Sequence, residues 1–283
     1  MILKNISRTI IATAVSAVAF VGCQKKDKPA LGDFPEDVIV TPTTPLRFFV
    51  SFDSTKPEDK QINIRFKDSI SGYPSFFPDN SISYEPGVSG TAYKGNDGKN
   101  LVYVNSNDFV KSTSLSVSFW FKHDDVPASD AQFVFSVPST FGHWSNSTML
   151  FIFDHKGAGA TKDLAVIKFM IADAGGDHWF ELTGDNRMPG IYDNQWHHLA
   201  FSYDQTTSEG KFYKDGTLHP TTAPLKWDGH GPLTMDATKV TGFYLGGKTT
   251  DWGKAFNGSL DQFRLYNSVL SADEVHQLFV SKQ

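Results

Sequence analysis

The stretch Leu115-Ser-Val-Ser-Phe-Trp-Phe121 decides the fold class. Leu115, Val117 and Phe119 alternate with Ser116, Ser118 and Trp120, a period of two that sends the two sets to opposite faces of a β-strand. Working outward, short β-rich runs recur at 46–52, 101–104, 132–136, 149–153, 165–171, 179–182, 197–203, 210–214, 242–245 and 259–266. Turn sequences stand between them: Asn96-Asp97-Gly98, Gly175-Gly176-Asp177, Gly184-Asp185-Asn186 and Lys214-Asp215-Gly216. Asp-Gly after a strand is a hairpin signal because the turn needs positive φ. More than ten short strands spaced in this way predict an all-β fold, a two-sheet antiparallel jelly-roll sandwich. One short C-terminal helix is expected. Ser271-Ala-Asp-Glu274 forms its capping box, and Val275, Leu278 and Phe279 follow on one face. Residues 62–70 read as a short irregular segment.

The composition narrows the function classes. Of 283 residues, 40% are hydrophobic and 20% charged, ordinary for a globular protein. Aromatics reach 14%, which is high, with 24 Phe, 9 Tyr and 6 Trp. The net charge of −5 carries no basic face for a duplex, which excludes nucleic acid as a partner. The single cysteine excludes an internal disulfide and a Cys-rich metal site. With no repeat and no second composition regime, 46–283 reads as one domain.

The N-terminus reads as an export leader. Lys4 and Arg8 form a positive n-region and 9–20 an apolar h-region, giving a lipoprotein signal peptide over 1–22. Phe20-Val21-Gly22-Cys23 resembles a bacterial lipobox, with Phe20 in place of the usual Leu or Val. Cys23 would receive the lipid. Residues 23–45, with Lys25-Lys26-Asp27-Lys28 and several prolines, read as a flexible tether. A lipid anchor with a tether holds a folded domain at a membrane surface without spanning it. The expected location is the bacterial outer membrane, lipid-anchored and facing the cell surface.

Three stretches carry a family resemblance. They are Gly87-Val-Ser-Gly-Thr-Ala-Tyr93 with 115–122, then Trp196-His-His-Leu-Ala-Phe-Ser-Tyr-Asp204 with Lys211-Phe-Tyr-Lys-Asp-Gly216, then Phe256-Asn-Gly-Ser-Leu-Asp-Gln-Phe-Arg-Leu-Tyr-Asn267 running into 270–279. Together they resemble the laminin-G-like branch of the concanavalin A-like lectin/glucanase superfamily. The resemblance implies a jelly roll with a concave face and a rim of loops. With the leader, it implies a carbohydrate-binding surface lipoprotein of glycan-uptake type. Its partners would be polysaccharide or oligosaccharide and the proteins of an uptake complex. The resemblance also implies a structural Ca2+ near the first and last strands. The matching positions are Asp53 and Asp261, with the Gly95-Asn96-Asp97-Gly98 turn, and so Asp97, adding carbonyls.

Sugar sites pair an aromatic face, on which a pyranose stacks, with polar groups that take its hydroxyls. Trp144, Trp179 and Trp252 stand beside Gly, His, Asp or Asn, the composition of exposed binding loops. Asp177, His178 and Arg187 are their polar companions; Trp227, between Pro224 and Gly229, is the weakest candidate. The other assignment for each Trp is closure of a hydrophobic gap at a sandwich end. Catalysis is not expected. Glucanases on this jelly roll use Glu-x-Asp-x-x-Glu on one strand face, and none of the six glutamates has Asp two residues on. No Gly-x-Ser-x-Gly elbow is present. Gly242-Phe-Tyr-Leu-Gly-Gly-Lys-Thr249 spells a phosphate loop, but its strand falls inside the motif and no helical period follows. His197 and His198, adjacent on a strand, point to opposite faces and cannot share one ion. The alternatives to a non-catalytic lectin are a hydrolase with a non-standard carboxylate pair and a protein-interaction subunit.

Overall fold

The computed structural model of the chain describes residues 44–53, 66–75, 83–96, 98–141, 146–247 and 252–282. All of them lie in the compact unit Thr41–Gln283. Cys23, Asp97, Trp144 and the Lys248-Thr249 pair lie outside the described residues.

In chain order the described strands are β1 (Leu46–Val50), β2 (Ser83–Pro86), β3 (Thr91–Lys94), β4 (Leu101–Tyr103), β5 (Leu115–Lys122), β6 (Gln132–Pro138), β7 (Ser147–Phe153), β8 (Leu164–Ala165), β9 (Ile167–Asp173), β10 (Gly176–Leu182), β11 (Met188–Pro189), β12 (Trp196–Asp204), β13 (Glu209–Lys214), β14 (Thr217–Leu218), β15 (Leu225–Lys226), β16 (Phe243–Leu245), β17 (Lys254–Ala255) and β18 (Ser259–Tyr266). The helix α1 (Ala272–Ser281) ends the chain. A nine-stranded sheet runs β14-β13-β12-β5-β18-β3-β2, with β1 also on β18 and β15 on β13. A seven-stranded sheet runs β10-β9-β7-β6-β16-β4, with β17 parallel to β6. β8 and β11 form a separate pair.

The all-β, two-sheet reading with one C-terminal helix holds, and the differences are local. β10 begins at Gly176 rather than 179, because Gly176 takes φ 117 and the hairpin turn tightens to Ala174-Gly175. The β2–β3 hairpin was not among the expected strands; Ser83-Tyr-Glu-Pro86 lies at a sheet edge and is too polar to show a core face. The Asp215-Gly216 hairpin signal is realised at φ 49 and 75. Of the region read as irregular, residues 62–65 lie outside the described residues, and 66–70 belong to a turn held by buried Asp68, which accepts from Phe49 N, Ile70 N, Ser71 N and Asn107 Nδ2.

The inner faces meet in an aromatic layer. Phe119 of β5 lies edge-on to Phe151 of β7, centroids 5.4 Å apart. Phe169 of β9 meets Phe201 of β12 at 4.4 Å, and Phe135 of β6 meets Phe263 of β18 at 5.5 Å. Edge-to-face pairs of this kind add to the area term of burial. The outer face of the nine-stranded sheet is covered by α1. Ser271 caps it, Glu274 closes the capping box, and Val275 and Leu278 pack on Ala200 and Tyr213. Phe279 stacks on Trp120 at 5.5 Å.

Beneath α1, His198 Nε2 lies 2.8 Å from Ser118 Oγ, while His197 lies between Asp215 (2.9 Å) and Asp193 (3.1 Å). Burial, with the nearby Arg264 charge, pulls the His198 imidazole down to about 4 from the ordinary 6.5. Between those values the unfolded chain binds the proton and the folded one does not, so stability rises with pH across the window. Urea unfolding is expected to show a loss of stability as pH falls from 6.5 towards 4, and His198→Gln should make that limb shallower, the remainder coming from His123 and His178, which burial also pulls down. The same slope in the variant would assign the acid sensitivity to other groups.

Candidate functional site

The strands of the seven-stranded sheet set the site. Their alternation sends Phe151, Phe169 and Phe180 inward and leaves Leu150, Ile152, Met170 and Ala172 outward. One outer row crosses the sheet as Trp179, Met170, Leu150, Ser136, Tyr244 and Val102 in register. The adjacent row is Glu181, Lys168, Ile152 and Phe133. Leu150, Ile152, Met170, Ala172, Phe133 and Ala131 form a buried apolar cluster, with Trp179 and Trp252 half-buried on it. Trp252 reaches it from the β16–β17 connection, its ring 4.6 Å from that of Phe133. Trp179 stands on β10 and Phe133 on β6. Three inter-strand steps separate them, about 14 Å.

Polar groups flank the two rings. Lys168 Nζ lies 3.0 Å from Asp154 Oδ2 and 3.2 Å from Glu181 Oε1. Burial works against ionisation of Asp154, yet the hydrogen bonds from His155 and the Lys168 ammonium hold its carboxyl below the usual carboxylate range. Where β17 meets β6, a polar hollow of about 250 Å³ is lined by His123, Asp124, Asp125, Asp130, Lys254 and Asn257, among others. A second hollow, about 310 Å³, lies at the β13–β15 edge among Phe212, Pro220, Pro224 and Leu225 and touches neither ring.

The sequence candidates divide by strand parity. Trp179 and Trp252 come together on one face, and Asp177 shares it, being two residues from Trp179 on β10. His178 alternates to the opposite face. There its ring stacks on Trp227 at 5.4 Å and meets Phe180 at 4.7 Å. His230 also stacks on Trp227, at 3.5 Å, so the indole lies against two imidazoles. Asp173 accepts from His230 Nε2 (2.8 Å) and from the Thr234 and Gly175 N–H groups, which fixes that stack. Arg187 is not brought to the rings; its Nε and Nη1 donate to the carbonyls of Gly184 and Gly159. Sequence reading missed Lys168, Glu181 and the apolar floor. Their signal was present: 149–153 and 169–172 are apolar at consecutive positions, the mark of a strand covered on both faces.

Asp53 and Asp261 do converge, across the turn that joins β2 to β3. Asp261 Oδ2 accepts from Val88 N (2.8 Å) and Ser89 N (3.3 Å), and Asp53 Oδ1 from Thr91 N (3.1 Å). The approach needs glycine at both ends of the turn. A Cβ on Gly90, at φ +57, would sit 1.9 Å from Asp53 Oδ1, and one on Gly87 2.4 Å from Asp261 Oδ2. Burial, with the neighbouring Asp53 charge, pushes Asp261 up to about 7. Among the described residues no group of three or more His, Cys, Asp and Glu is placed for a metal. A cation at this turn would therefore draw its other oxygens from the main chain.

The first and last described strands pair, in a two-sheet sandwich one outer face of which carries two tryptophans. A family model of laminin-G type, described as the concanavalin A-like lectin/glucanases superfamily, matches residues 96–276. The chain belongs to that superfamily. Among solved structures it is similar to domain 4 of an extracellular arabinanase of Geobacillus stearothermophilus in complex with arabinotriose. The TM-score is 0.53 and the identity 20%, over 82% of this chain and 97% of that one. It is also similar to the binding domain of botulinum neurotoxin serotype G (TM-score 0.55, 14% identity, 84% of this chain and 51% of that one). A third likeness is to a Trypanosoma rangeli sialidase (TM-score 0.51, 14% identity, 86% of this chain and 36% of that one). The chain thus spans about half of the toxin domain and about a third of the sialidase. At these identities the likeness is one of fold. No curated protein matches the chain in sequence.

Proposed function

We propose that the chain is a surface-tethered glycan-binding lipoprotein without catalytic activity, whose binding face is the outer side of the seven-stranded sheet. One observation carries the reading: Trp179 and Trp252, from distant parts of the sequence, share one face over a common apolar floor, with carboxylates beside them. Aromatic rings offer the stacking surface and the carboxylates accept hydroxyl protons. The arabinotriose held by the arabinanase domain of the same fold supports the choice of ligand class. With Trp179 on β10 and Trp252 packed on β6, strands about 14 Å apart, the face favours a chain of sugars over a single ring. Each of Trp179→Ala and Trp252→Ala is expected to weaken oligosaccharide binding about tenfold, or about 1.4 kcal/mol. Calorimetry on glycans selected from an array reads this directly. Unchanged affinity in both variants would move the site elsewhere.

The carboxylates on this face support binding over hydrolysis. A glycosidase needs one carboxylic acid held protonated near neutral pH. Asp154 is instead held ionised, and Glu181 faces the same Lys168 ammonium.

The Asp53–Asp261 turn is the calcium site of this proposal. Two carboxylates facing one glycine turn, one of them pushed up to about 7, fit a divalent cation, which would favour the ionised form of both. The ion would pin β1 and β18 to the β2–β3 hairpin. Chelation is expected to lower the thermal midpoint, and calcium to restore it. The calcium increment should grow with pH from about 4 to about 7, as protons stop competing for Asp261. Equal midpoints with and without chelator would remove the metal.

Membrane attachment rests on Phe20-Val21-Gly22-Cys23. A fatty-acid label supplied to producing bacteria is expected on the wild-type chain in the outer-membrane fraction. Cys23→Ser should lose both label and fractionation. A labelled Cys23→Ser chain would refute the anchor.

A further inference from the structure

The charges of the tryptophan face limit what it can take. The strands β6, β7, β9 and β10 carry one lysine, Lys168, and no arginine. The Lys168 ammonium is held from two sides, by Asp154 at 3.0 Å and Glu181 at 3.2 Å. Next to Trp179, the exposed Asp177 adds a further carboxylate on the same face of β10. On β17, two residues beyond Trp252, Lys254 lines a hollow together with Asp124, Asp125 and Asp130. The described arginines serve other ends. Arg187 donates to two main-chain carbonyls, Arg47 Nη1 to the Thr44 carbonyl, and Arg264 lies buried on the other sheet against Gln262 and the Phe49 ring.

Resting on the glycan-binding reading above, we infer that the glycan is uncharged: Trp179 and Trp252 flank an apolar floor, the one cation borne by β6, β7, β9 and β10 is clamped between Asp154 and Glu181, and the described residues of the face offer acceptors for neutral-sugar hydroxyls but no guanidinium for a sugar carboxylate or sulfate. An acidic group entering here would leave water for an apolar, net-negative surface. Its usual partner, a guanidinium fork, is absent from the described part of the face. A neutral sugar meets no such cost. Its C–H face stacks on the indoles and its hydroxyls donate to carboxylate oxygens, which makes charge-assisted hydrogen bonds.

The test presents the full-length chain to an array holding neutral and acidic oligosaccharides. Calorimetry then compares the best neutral ligand with an oligogalacturonate and a sialyl-oligosaccharide at low and high salt. The expected result is binding of a neutral chain at least about tenfold tighter than either acidic one, with an affinity indifferent to salt. Asp177→Lys, at an exposed position, should narrow that gap by raising affinity for the acidic ligand. An acidic oligosaccharide bound as tightly or more tightly, with an affinity that falls as salt rises, would overturn the inference and leave the glycan-binding reading standing. Silence across the whole array would overturn that reading, and this one with it.

Discussion

The structure depends on one layer of phenylalanine rings shared by two sheets. Phe119, Phe201 and Phe263 project from the nine-stranded sheet, and Phe135, Phe151 and Phe169 meet them from the other, with edge-to-face contacts between the layers. Sheets packed in this way stand about 10 Å apart, and the rings fill that gap. Every other decision follows from it. Each strand has one side committed to the rings, so each sheet has a second side that must be polar, covered, or put to use.

The two sheets settle this differently. On the nine-stranded side the answer is a helix. Val275 and Leu278 cover Ala200 and Tyr213, and Phe279 covers Trp120. On the seven-stranded side Leu150, Ile152, Met170 and Ala172 point outward, and the described side chains packed on them include two indoles rather than a helix. Tryptophan on such a floor keeps one end apolar and one end wet. The salt-bridged Lys168 then keeps a charge next to apolar surface without leaving it unpaired.

The fold was legible because its signals are local. The alternation at 115–121, the Asp215-Gly216 turn and the Ser271–Glu274 capping box each dictate a backbone state within a few residues. The site was half legible. Composition picked out Trp179 and Trp252, but could not tell that Trp227 stacks against two imidazoles or that His178 faces away from its neighbour. Those facts turn on parity along β10 and on contacts between residues some fifty positions apart, which no short window contains. The pairing of Lys168 with Asp154 and Glu181 is of the same kind: three strand-end or strand residues made neighbours only by register. The family resemblance supplied what spacing could not for Asp53 and Asp261, because 173 residues separate Val88 from the carboxylate it donates to.

The pairing of β18 has a consequence for the order in which the chain can complete itself. β1, β3 and β5 all hydrogen-bond to β18, which lies just before the C-terminal helix. Until β18 is made, β1, β3 and one edge of β5 therefore lack this partner. Contacts this distant in sequence make for slow closure. Any chain cut short before Ser259 presents those edges permanently, as a template for aggregation rather than a partial fold.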